Sequence, residues 1–163
     1  MNIRKLLVSW DFIVAAMVGV LTYGVAPHWI VNGFAKDVYA VGISVLSIIF
    51  SVFFAALAII MAASDDEFLQ FLNERGDYSA LISTFRFTLG TLFLALIWSL
   101  GVFAYTSFRE ATSINFQNKW FLVVFGFLFL YALLAAAGSA MDAISYSKFR
   151  SEFLSLRKKT STK

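Results

Sequence analysis

Residues 39 to 63, YAVGISVLSIIFSVFFAALAIIMAA, carry no charge, and this constrains the fold more than anything else in the chain. As a helix rising about 1.5 Å per residue, the stretch outspans a hydrocarbon layer of about 30 Å. At helical spacing Ser44, Ser47, Ser51, Ala55, Ala58 and Ala62 share one stripe, while Phe50, Phe53, Phe54, Leu57 and Ile60 cover the other sides. Large apolar side chains gain little by leaving lipid tails, so a small-residue seam is where another helix approaches closely or water is held. The stripe is expected to face inward.

The rest of the chain has the same character. It is 60% hydrophobic and only 14% charged, against roughly a quarter charged in soluble domains. Windows at about 10 to 27, 39 to 63, 84 to 106 and 119 to 144 are each apolar enough to span. Backbone groups cannot stay unpaired in lipid, so each window is expected to be a helix. The expected class is therefore all-α: a polytopic domain over residues 1 to 145 with four transmembrane helices, followed by a tail over 146 to 163. With no cysteine and His28 as the single histidine, thiolate metal sites and imidazole dyads are out of reach within one chain, and no cofactor is expected. Nor is an enzyme, since no span presents a catalytic pair, nucleophile motif or metal constellation. A proton-coupled transporter lacks support because no carboxylate is placed near the bilayer midplane.

The charges report topology. Lys148, Arg150, Arg157, Lys158, Lys159 and Lys163 supply six of the thirteen Lys and Arg, which points to tail chemistry and not to nucleic acid. The N-terminus resembles a signal peptide, with Arg4 and Lys5 before an apolar run, but Pro27 obstructs cleavage after Ala26, so the run is kept as helix one. Residues 28 to 38 read as a loop in which Asn32-Gly33 is a turn signal. The N-terminus, the 64 to 86 segment and the tail hold Arg4, Lys5, Arg75, Arg86 and the six tail cations, against Lys36, Arg109 and Lys119 in the other loops. Both termini are therefore expected on the cytoplasmic side of a cell inner membrane. Ser64-Asp65-Asp66-Glu67 has capping-box spacing and Gly76 offers a stop, predicting a short interfacial helix over 64 to 78; the other reading is that helix two runs on.

Helix three repeats the hydroxyl stripe with Thr84, Thr88, Thr91, Ala95 and Ser99. Such hydroxyls either line a hydrated pathway or pack between helices, bonded to their own backbone carbonyls. Arg86, about one turn inside the cytoplasmic end, is expected to pair with Asp142 or Asp11 at similar depth on helices four and one, because an unpaired charge there is costly. In helix four Ala132, Ala136 and Ala140 suit tight packing, and Phe121, Phe125 and Phe129 are expected to face lipid or a neighbouring subunit. The tail continues in phase, with Tyr146, Phe149, Phe153 and Leu156 on one stripe of an amphipathic helix. Arg157, Lys158 and Lys159 suit anionic lipid headgroups, and a partner helix competes for the same face.

The segment from about 40 to 105, a small-residue span, then SDDEFLQFLNERGDYSALISTFRF, then a second hydroxyl-bearing span, resembles small bacterial four-span membrane proteins of phage defence: RexB-like exclusion proteins of the lambda type and the membrane subunit of Kiwa systems. The resemblance is architectural and transfers no residue role. It implies inner-membrane residence, homo-oligomerisation, and either ion leakage on infection or sensing for a cytosolic effector. Two functions are expected from the residues. One is a homo-oligomeric channel whose interior takes Ser44, Ser47, Ser51, Thr88, Thr91 and Ser99; the other is a non-conducting membrane sensor or anchor that recruits a cytosolic partner protein.

Overall fold

The computed structural model describes residues 10–62 and 77–160, with side chains described for 10–58 and 82–145. Its elements are α1 (Trp10–Val25), β1 (Trp29–Val31), α2 (Asn32–Ala62), α3 (Asp77–Ala111), β2 (Phe116–Asn118) and α4 (Trp120–Thr160). Segments Asn32–Ala58, Ile82–Ala111 and Trp120–Ser145 are long and apolar enough to cross a membrane. The described part of α1 has 16 residues, about 24 Å of helix, roughly a turn short of the hydrocarbon thickness. The structure thus carries three helices of spanning length and one shorter apolar helix among the described residues. Of the interfacial helix expected over 64 to 78, only Asp77 and Tyr78 are described, and they open α3; the rest lies outside the described residues.

The chain is not purely helical. β1 and β2 form an antiparallel ribbon in which Trp29 faces Asn118, Ile30 faces Gln117 and Val31 faces Phe116. The ribbon ties the α1–α2 connection to the α3–α4 connection, so both lie at one end of the molecule. Asn32-Gly33 opens α2 and is not a free turn. The Asn32 backbone N–H donates to the Asn115 carbonyl at 2.9 Å and its side-chain amide to the Ile114 carbonyl at 2.6 Å, which anchors the helix start against the ribbon. At the other side of the ribbon α3 stops at a Schellman turn: Ile114 N–H bonds the Arg109 carbonyl and Ser113 N–H the Glu110 carbonyl, with Ser113 itself at φ 63° in the left-handed position that such a cap requires.

α4 is a single helix of 41 residues, about 60 Å long, with no break at the expected domain boundary of 145. It packs against each of the other three helices, whereas α1 docks chiefly on α4. Ala15 and Gly19 are buried in that contact, and the Phe12 ring meets Phe127 at 5.5 Å and Tyr131 at 6.0 Å. Between α2, α3 and α4 lie two apolar clusters. The one nearer the ribbon joins Ile30, Ala35, Tyr39, Val102 and Phe125; the one toward the other end joins Leu46, Leu92, Ala95, Ala132 and Ala136.

Phe125 therefore does not face lipid. Its ring sits over Gly42, where an added Cβ would collide with it, and meets Tyr39 at 4.9 Å and Phe129 at 5.6 Å. Phe121 and Phe129 are half-buried against the same cluster. The missing side chain of Gly42 on α2 is what admits the aromatic half of α4, a complementarity between two helices that periodicity in either one does not reveal.

Candidate functional site

The two hydroxyl stripes have different fates. On α3, Thr88, Thr91 and Ser99 are buried. Thr88 hydrogen-bonds the Ser139 hydroxyl on α4 and donates to the Ala135 carbonyl at 3.4 Å, while Thr91 and Ser99 return to the carbonyls of Phe87 at 3.0 Å and Ala95 at 2.7 Å. These hydroxyls are satisfied within the packed chain. On α2, Ser44 and Ser51 lie exposed and Ser47 half-buried, with Ser44 donating to the Ala40 carbonyl at 3.0 Å and Ser51 to the Ser47 carbonyl at 2.8 Å. The α2 stripe faces away from the chain's own core. The physical reason is that α2 packs on its neighbours through Leu46, Ile49, Phe50 and Phe53, leaving outward a side on which Ser44 and Ser51 stand among the exposed Val41, Ile48 and Val52.

Asp11, Arg86 and Asp142, the charges expected inside the spans, are not brought together. Among the described residues the one ion pair is Lys36 to Glu110 at 2.9 Å, at the ribbon end; Arg86 pairs with neither Asp142 nor Asp11. Helix geometry explains why. Thr88 faces α4, and Arg86, two residues earlier, is turned about 200° round α3 from it. Arg86 is exposed, as is Asp142. The expected similar depth holds for one acid only. Thr88 meeting Ala135 and Ser139 places Arg86 about level with residue 139 of α4, roughly one turn from Asp142. Asp11, beside Phe12 and its contact with Tyr131, is about level with Tyr131, roughly three turns farther from Asp142. That puts a half-buried carboxylate near the middle of the α4 span, deeper than the sequence suggests.

At the ribbon end a polar cluster forms that sequence reasoning missed. Gln117, 1% exposed, donates through Nε2 to the Tyr39 hydroxyl at 3.0 Å and accepts at Oε1 from Thr106 at 2.8 Å. Three elements, α2, α3 and β2, are thereby joined by hydrogen bonds inside an apolar core. Next to it Lys119, 7% exposed, sets its Nζ 3.0 Å from the Tyr23 carbonyl and 3.8 Å from the centroid of the Tyr23 ring. Tyr23 is in the last turn of α1, so the buried ammonium caps the carbonyl end of that helix and faces an aromatic ring. Burial alternates with period two, Gln117 and Lys119 inside and Phe116, Asn118 and Trp120 outside, as a strand dictates; because the polar residues are the buried ones, the sequence carries no hydrophobic signal of it.

The basic cluster Arg157, Lys158 and Lys159 lies on the continuous α4 helix, and its side chains lie outside the described residues. Neither a protein-family model, nor a curated protein, nor a solved structure matches this chain.

Proposed function

We propose that the protein is a homo-oligomeric, multi-pass subunit of a cell inner membrane, with four spans and both termini cytoplasmic, that acts as a non-conducting sensor or anchor for a cytosolic partner. The observation that carries this reading is the unbroken α4. From Ser145 to Thr160 the helix continues for about 22 Å beyond its apolar span, and it packs on each of the other described helices. A displacement of α1, α2 or α3 is therefore passed to the tail along one stiff rod. The stripe of Tyr146, Phe149, Phe153 and Leu156, with Arg157, Lys158 and Lys159 after it, suits a partner helix or the anionic membrane surface beside it. α1 is proposed as the fourth span on its antiparallel run along the ribbon-side half of α4, from Tyr23 beside Trp120 to Phe12 beside Tyr131; the remainder of the crossing falls to residues before Trp10, outside the described residues. The resemblance to phage-defence membrane proteins implies either ion leakage on infection or sensing for a cytosolic effector, and this reading takes the second.

A second reading, a channel subunit, is favoured by the outward Ser44 and Ser51, which could surround the axis of an oligomer. It has lost Thr88, Thr91 and Ser99, which are spent in packing. The two readings part in a reconstituted system. The chain has no cysteine, so Ser47→Cys and Ser51→Cys variants in liposomes report water contact without background. The expected result is no ion flux from the wild type and no reaction with a water-soluble thiol reagent at either position. Flux that labelling at 47 or 51 blocks would replace the anchor with the channel.

A further inference from the structure

Arg86 and Asp142 are opposite charges inside the apolar spans Ile82–Ala111 and Trp120–Ser145, both exposed and neither ion-paired within the described chain. A guanidinium and a carboxylate within about one turn in depth, each near lipid, are costly apart and far less so together. We infer that Arg86 on α3 of one copy pairs with Asp142 on α4 of a neighbouring copy, and that this contact is the subunit interface of the oligomer. The inference rests on the homo-oligomeric reading above and deepens it by naming the residues that meet.

Three observations converge on a second copy as the occupant. The first is register: the Thr88 to Ser139 contact sets Arg86 and Asp142 roughly one turn apart in depth, so two copies standing side by side in one bilayer keep them within about one turn of each other, an offset that the long arginine side chain can span. The second is direction: Arg86 is turned away from its own α4, so the pair is not closed among the described residues, and a neighbouring copy is placed to supply the acid. The third is the surface beside each charge. Arg86 rims an open groove of about 570 Å³ along α3, formed with Ser83, Phe87, Gly90, Thr91 and Leu94. Gly90, four residues from Arg86, has nothing within 4 Å of where a Cβ would stand, and the same is true of Gly138, four residues from Asp142. Each charge therefore has a bare backbone one helical turn away on its own face, where another helix can seat closely. Asp11 is the weaker candidate because it lies nearer the middle of the span, about 10 Å from the level of Arg86.

Charge reversal in separately expressed and co-expressed chains tests this. Arg86→Asp alone and Asp142→Arg alone should each lose the oligomer seen for the wild type in native mass spectrometry from mild detergent. Co-expressing the two variants should restore it, since the aspartate introduced at position 86 of one chain then meets the arginine introduced at position 142 of the other, and the native pair forms in the return contact. The Arg86→Asp/Asp142→Arg double variant should also assemble, which controls for folding. A pair closed within one chain would be restored in the double variant but not by mixing, and that outcome overturns the inference. Rescue of Arg86→Asp by Asp11→Arg and not by Asp142→Arg overturns it as well. If both single reversals keep the wild-type oligomer, Arg86 reaches lipid phosphates and the interface lies elsewhere, with the homo-oligomer intact; a wild type that is monomeric both in detergent and on crosslinking in membranes instead overturns the oligomeric reading itself.

Discussion

Gln117 shows how a single polar side chain can hold the end of a helix assembly together. Its amide hydrogen-bonds both the Tyr39 and Thr106 hydroxyls, and all three residues are fully buried. Gln117→Leu keeps the volume but leaves the Tyr39 hydroxyl without its donor, at a cost of about 1–3 kcal/mol for a buried unsatisfied group. Thr106 is less affected, because it also bonds its own Val102 carbonyl at 2.7 Å. Thermal unfolding in detergent should therefore show Gln117→Leu as clearly destabilising in the wild-type background and much less so in a Tyr39→Phe background. Equal losses in the two backgrounds would mean that packing, and not the hydrogen bond, is what Gln117 supplies. Little of this was legible beforehand. A glutamine in a loop between two apolar windows reads as solvated unless its partners on α2 and α3 are known to converge on it, and those partners are 78 and 11 residues away.

Helix existence was legible and helix extent was not. Apolar windows locate the parts of α2, α3 and α4 that suit lipid, but a helix does not stop where apolarity does: α3 starts at Asp77 and α4 ends at Thr160, in stretches rich in charge that are nonetheless good helix formers. The strands escaped because each has three residues, too few for a periodic pattern to stand out from its neighbours. Lys119 connects the ribbon to α1, and its removal should be felt by that element first. In Lys119→Met the apolar stem is kept while the ammonium that caps the Tyr23 carbonyl is lost. Hydrogen exchange should quicken at the last turn of α1, including the Ala26 amide that bonds Thr22, with the α2–α3 interface unchanged. Uniform acceleration across α2, α3 and α4 would show instead that Lys119 supports the whole ribbon end. α1 is the element to respond because it docks chiefly on α4 and has no second face in the core.

For the whole molecule, the ribbon turns a statistical argument about loops into a geometric one. Counting basic residues assigns each loop a side separately, whereas the β1–β2 pairing and the Lys36 to Glu110 ion pair at 2.9 Å oblige the α1–α2 and α3–α4 connections to share a side. One measurement then orients everything described. Trp29 and Trp120, both exposed at the ribbon end, are the residue type that settles at a membrane interface, and Lys148, Arg150, Arg157, Lys158 and Lys159 belong to the part of α4 beyond its apolar span, which the positive-inside bias would place in the cytoplasm. The ribbon end is accordingly predicted to face outward. In a chain without native cysteine, Ala111→Cys, exposed at the end of α3, should react with a membrane-impermeant maleimide in intact cells, and Thr160→Cys only after permeabilisation. Reaction at Thr160→Cys in intact cells would invert the molecule. It would also remove the tail from any cytosolic partner, because a single rod joins that tail to the span and the two cannot be oriented independently.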